Sequence, residues 1–199
     1  MHATHTIETI RTHVLKKLSN QLSHDLYYHC VEHTIDVQEQ AGRIAAAENI
    51  TNPEDLFLLA IACLYHDTGF IFTYNTHEEV GCDLAREELP GFGLNKHQIE
   101  QVCGMINATR IPQAPQTKLE EIIADADLDY LGREDFFPIS HQLFRELKAK
   151  HFLETENDWN LVQVKFFKQH KYFTESTIAL RAEKKQVHLE MIEATLELV

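Results

Sequence analysis

The stretch LFLLAIACLYHDTGF, from Leu56 to Phe70, decides the fold. From Leu56 to Tyr65 it is apolar almost all round, the pattern of a helix buried in a core rather than laid on a surface. Asn52-Pro53 just ahead supplies an N-cap and a first helical residue, and Gly69 just beyond acts as a helix stop. The apolar run is half the length needed to cross a bilayer, so it predicts a core helix and no membrane span. His66-Asp67 closes it. Charged groups held beside so apolar a helix need a partner or a metal ion.

In both directions from this helix, apolar residues recur at spacings of three and four. Ile7, Ile10, Val14 and Leu18 mark a first helix, and Leu26, His29, Cys30, His33, Val37, Ala41 and Ile44 follow one face of a second. A fourth covers about His77 to Leu89 and is stopped by Pro90-Gly91. Asn95 caps a fifth that carries Ile99, Val102 and Ile106. After the polar loop IPQAPQ come helices through EEIIADADLDYL, over about Asp135 to Lys150, and over about Asn157 to Tyr172. Thr174 is placed to cap a last amphipathic helix bearing Ile178, Leu180, Leu189, Ile192 and Leu196. The expectation is one all-α domain over residues 1–199, with a motif-bearing core at about 20–135 and a C-terminal helical appendage at about 136–199.

A chain of 199 residues can bury about 70% of its unfolded surface, enough to fold without disulfides or a structural metal. Lys and Arg number 18 against 31 Asp and Glu, a formal charge of −13. That balance argues against a nucleic-acid polymer or an anionic membrane as partner, because both need clustered cations. The opening residues lack the apolar core of a signal peptide. The four cysteines are scattered with no C-x-x-C pair, so they are expected as buried thiols of a cytoplasmic protein. Arg181, Lys184 and Lys185 form a small basic patch, expected to be a solvated face. A homodimer is compatible with the sequence, which carries no argument for one.

The chemistry sits in a set of His, Asp and Glu residues around the buried helix. His24-Asp25 is a second His-Asp pair, but in a polar stretch, where it is expected to be solvated. His29 and His33 stand one helical turn apart upstream, Asp125, Asp127 and Asp129 cluster downstream, and His77-Glu78-Glu79 opens the fourth helix. One His, the His66-Asp67 pair and one Asp from three helices can converge on a single ion. Imidazole with carboxylate is a mixed donor set suited to Mn, Fe, Ni, Co or Zn.

These residues and their flanks resemble the HD superfamily of metal-dependent phosphohydrolases, whose pattern is a His, a His-Asp pair and a distant Asp on an all-helical core. Here it reads His33, His66-Asp67 and Asp127, with YHxxxHTxxV around His33, HDTG after the apolar run, then HEEVG and ADADLDYLG. The resemblance covers about residues 20 to 135. It implies one divalent ion (Mn, Fe, Ni, Co, Zn or Mg) and hydrolysis of a small phosphorylated substrate, a nucleotide foremost, by a phosphodiesterase or phosphomonoesterase reaction.

Residues two apart on a helix point about 200° from each other, so Asp125 and Asp127 cannot both face the ion. In similar sequences the ligand follows a small residue and two apolar ones four and five positions earlier. Asp127 meets that with Ala126, Ile123 and Ile122; Asp125 is the second choice. Members with two metals add a further histidine where this chain has Asn107 or Thr109, which favours a single ion. The expected catalytic groups are Asp67, to hold the ion and orient water, and Glu78 (or Glu79), to carry a proton. His29 and His77 are expected on the substrate. A metal- or nucleotide-binding sensor without turnover, and a helical interaction module, are the alternatives.

Overall fold

Three helices, α1 (His2–Gln21), α2 (Val31–Ala47) and α3 (Pro53–Tyr65), open the computed structural model, which describes residues 2–197 and the side chains of 7–196. α3 is the central one, and every residue from Ile61 to Phe70 is buried. Asn52 caps it through its side chain, which accepts from the Glu54 amide, and Pro53 takes the first turn, where its missing N–H leaves no gap. Then follow α4 (His77–Glu88), α5 (Lys96–Ala108), α6 (Lys118–Asp127), α7 (Phe136–Ala149), α8 (Glu156–Gln169) and α9 (Glu175–Glu197). Asn95 and Gln98 form a reciprocal capping box at the start of α5. There is no β-strand among the described residues, and no helix is long and apolar enough to cross a membrane.

Two apolar cores result. The first gathers Ile10, Val14 and Leu18 of α1, Val37 and Ile44 of α2, and Leu58, Ile61 and Leu64 of α3 against α4, α5 and α6. Each fully buried Leu or Ile there stabilises the fold by about 1.5–3 kcal/mol. The second joins Tyr28, Leu128, Tyr130 and Leu131 to Phe136, Phe167, Leu189 and Ile192 of the last three helices. Asp127 ends α6 where the first core stops and the second begins.

Three expectations need correction. The second helix starts at Val31, not near Leu26, with Cys30 extended at φ −125° and ψ 179°. The amides of Tyr28 and His29 donate instead to the Glu146 carboxylate, which keeps this segment out of the helix, so His29 and His33 share no helix face. On α9, Ile178 and Leu180 are exposed, while Thr177, His188, Leu189 and Ile192 are buried. The supposed basic patch is no solvated face. Arg181 makes a two-pronged ion pair with the buried Asp129 at 2.8 and 3.0 Å, Lys184 pairs with Glu134, and Lys185 donates to the His170 carbonyl.

Candidate active site

The turn after α3 carries the His-Asp pair. His66 ends the helix in αR conformation and Asp67 follows at φ −104°, ψ 4°. Thr68 Oγ1 donates to the Tyr65 carbonyl at 2.7 Å and fastens the turn. Gly69 serves closeness rather than helix stopping, because a β-carbon there would collide with the His77 carbonyl at the head of α4.

His33, in the first turn of α2, and Asp127, the last residue of α6, meet this pair. His33 Nε2 lies 3.1 Å from Asp127 Oδ1, 3.4 Å from His66 Nε2 and 3.4 Å from Asp67 Oδ2. His66 Nε2 lies 3.3 Å from Asp67 Oδ2 and 3.6 Å from Asp127 Oδ1. Donors each about 2.1 Å from one ion stand about 3.0–3.4 Å apart at octahedral or tetrahedral angles, so this spacing fits a shared divalent ion. Asp67 Oδ2 is buried and has no hydrogen-bond partner, the mark of an oxygen reserved for a cation. His66 Nδ1 donates to the Cys63 carbonyl at 2.7 Å, which turns Nε2 toward the cluster, where it holds a proton or, with an ion present, gives that proton up to bind it.

The electrostatics match that donor set. Burial favours the neutral His66 ring, but Asp67 and Asp127 outweigh it and raise its pKa. Burial likewise pushes both carboxyls up, yet hydrogen bonds from His33 and His66 hold Asp127 at about 2, and His66, with His29 and His33, holds Asp67 below the usual range. Both carboxylates are therefore anions that call for positive charge between them.

A second layer borders the cluster. Phe70 stacks on His29 (centroids 4.0 Å apart) and on His77 (3.9 Å), so one ring carries a histidine on each face. His77 Nε2 is 3.7 Å from Asp67 Oδ1 and 3.6 Å from Glu78 Oε1. Glu78 is buried, whereas Glu79 is exposed and bonded to Arg110, which settles which of the two faces inward. Asp125 joins none of this: its carboxylate accepts from the Phe173 and Thr174 amides and the Thr174 hydroxyl, so the second choice of ligand is turned away. Asn107 donates to the Cys103 carbonyl and to Cys82 Sγ. His24 and Asp25 are exposed, as expected.

Sequence reading missed Glu146. Fully buried on α7, its carboxylate accepts from two backbone amides, the Tyr74 hydroxyl and the His29 ring. A signal existed, since Leu143 and Leu147 flank it at i−3 and i+1 and so set it at the edge of an apolar face. The two helices that follow α6, α7 and α8, border a cavity of about 260 Å³, with Asp67, His77, Glu78 and Asp127 at one end and their apolar wall at the other.

The HD domain family model matches residues 30–129 of this chain. No curated protein matches it. Three solved structures share the fold. A predicted HD superfamily hydrolase from an uncultured Thermotogales bacterium is 22% identical, over 94% of this chain and 91% of that one, with a TM-score of 0.60. Bacillus subtilis YpgQ, solved in complex with ADP, is 18% identical over 100% and 97%, TM-score 0.69. A Lactobacillus plantarum protein is 16% identical over 98% and 97%, TM-score 0.66.

Proposed function

The chain belongs to the HD domain family, and from that premise we propose that it is a metal-dependent phosphohydrolase cleaving a phosphate ester of a small molecule. In this reading His33, His66, Asp67 and Asp127 hold one divalent ion. The observation that carries it is the convergence of donor atoms from His33, His66 and Asp127, all within 4.8 Å of one another, with the unpartnered Asp67 Oδ2 3.3–3.4 Å from both imidazoles. A divalent ion there supplies Lewis-acid polarisation of a phosphoryl oxygen and lowers the pKa of water toward neutrality.

The chain's own residues do the rest. Asp67 gives Oδ2 to the cluster and keeps Oδ1 on the His77 side, where it can orient an attacking water. Glu78 borders the same cavity and carries the proton between water and leaving group. His29 and His77, held by Phe70, present ring edges to phosphate oxygens, and Glu146 fixes the His29 ring.

The test is a panel of phosphate esters offered to the full chain with Mn, Fe, Ni, Co, Zn and Mg in turn. Nucleotides enter that panel on the strength of the ADP bound to YpgQ. The reading expects turnover with at least one metal, abolished by a chelator and by His66→Ala or Asp67→Ala, and kept in His24→Ala and Asp25→Ala. Metal retained without turnover of any ester would leave a sensor. Metal content and stability unaffected by any of these changes would leave an interaction module.

A further inference from the structure

The cavity has one charged end and one uncharged end, and each asks for a different part of a ligand. Asp67, Glu78 and Asp127, with His29 and His77, make the first. Leu131, Phe136, Leu143, Leu147, Trp159 and Phe167 make the second. The polar groups that α8 brings to that wall are bonded to residues outside it: Trp159 Nε1 donates to Ser140 Oγ at 3.2 Å, Gln163 Oε1 accepts from Ser140 Oγ at 2.6 Å, and Gln163 Nε2 donates to Asn160 Oδ1 at 3.1 Å. Among the described residues, none that lines the cavity is a lysine or an arginine. Arg110, close by, is committed to Glu78 and Glu79.

Resting on the phosphohydrolase reading, we propose that the substrate is a phosphomonoester whose alcohol is apolar and carries an aromatic ring, and not a nucleoside di- or triphosphate. Each further phosphate adds charge that proteins meet with Arg, Lys or backbone N–H groups. Here three acidic side chains border the charged end, and the ion and two histidines suffice for one phosphoryl group. A nucleobase needs free donors and acceptors along its edge, whereas Trp159 Nε1 and both polar ends of Gln163, the polar side-chain groups that α7 and α8 bring to the wall, are already bonded. A plain aromatic ring needs none and packs edge or face against Phe136, Trp159 and Phe167. A volume of about 260 Å³ lies just below the roughly 300 Å³ at which small-molecule pockets begin, room for a ring and one phosphate. In the reaction the water oxygen bonds to phosphorus, the ester P–O bond breaks, and the alcohol leaves with a proton from Glu78, giving inorganic phosphate.

The experiment compares kcat/KM of the metal-loaded full chain for benzyl phosphate, glycerol 3-phosphate, AMP and ADP. Benzyl and glycerol esters both release a primary alkoxide, so their difference reports the alcohol's fit rather than its leaving ability. Benzyl phosphate is expected to lead the others by about tenfold or more, equal to about 1.4 kcal/mol. Calorimetry gives a readout without turnover: benzylphosphonate should bind about tenfold more tightly than methylphosphonate. Leu147→Gln should bring the benzyl-to-glycerol ratio down toward one. Equal rates across the panel, a lead for ADP, or an unchanged ratio in Leu147→Gln would overturn this proposal and leave the phosphohydrolase reading standing. No hydrolysis of any ester in any metal form would end that reading, and this proposal with it.

Discussion

Asp125 and Asp127 stand two residues apart on α6 and face opposite ways. Asp127 accepts from His33 at the cluster, while Asp125, fully buried, accepts from Phe173 N, Thr174 N and Thr174 Oγ1 at 2.9, 2.8 and 2.7 Å. One builds the site and the other ties α6 to the start of α9. Asp127→Asn should lose metal on dialysis, as read by elemental analysis. Asp125→Ala should keep the metal but leave buried amides unpaired, at a cost of about 2–4 kcal/mol in urea unfolding. The reverse pattern of metal content would shift the site by two residues. From sequence, helix geometry showed that the two could not face one ion together, and the resemblance to HD sequences, carried by Ala126, Ile122 and Ile123, favoured Asp127. What Asp125 does was not legible, because its partner Thr174 lies 49 residues away, just ahead of α9, and no local pattern points to it. An exposed Asp125 would have been cheap to lose; the buried one is not.

At the scale of elements, α7 reaches back over the site through one side chain. Glu146 bonds the Tyr28 and His29 amides, the His29 ring and Tyr74, and so sets the segment before α2 against the turn after α3. Glu146→Gln keeps an acceptor but removes the charge. It should lower kcat/KM about tenfold to a hundredfold by misplacing His29, with metal content unchanged. Glu146→Ala should in addition destabilise the fold by about 2–4 kcal/mol, since two buried amides lose their acceptor. A pair of variants indistinguishable from the parent in rate would show that His29 takes no part. The sequence marked His29 as a substrate contact by its nearness to His33 along a supposed helix. The structure instead places it beside the site through Phe70 and Glu146, by contacts no 3.6-residue period encodes.

For the whole molecule, the site lies on the seam between two cores, with α2, the end of α3 and α6 supplying donors and α7 and α8 walling the cavity. The helices and their caps were legible because Asn52-Pro53, Asn95 and Thr174 act locally and α3 is apolar all round. The seam was not, because no local pattern in the sequence shows that Leu143, Trp159 and Phe167 come to line one cavity with Asp127. An ion shared by three helices binds the folded chain and not the unfolded one. Metal at a hundred times its Kd should therefore raise stability by about 2.7 kcal/mol, and a chelator should remove the gain. A melting midpoint indifferent to both would count against a shared site. Whether His33, His66, Asp67 and Asp127 hold one ion is decided by anomalous diffraction from crystals grown with Mn. A single peak per chain is expected, about 2.0–2.3 Å from His33 Nε2, His66 Nε2 and the Asp67 and Asp127 carboxylates. A peak elsewhere, none at all, or two fully occupied ions about 3.5–4 Å apart would contradict it.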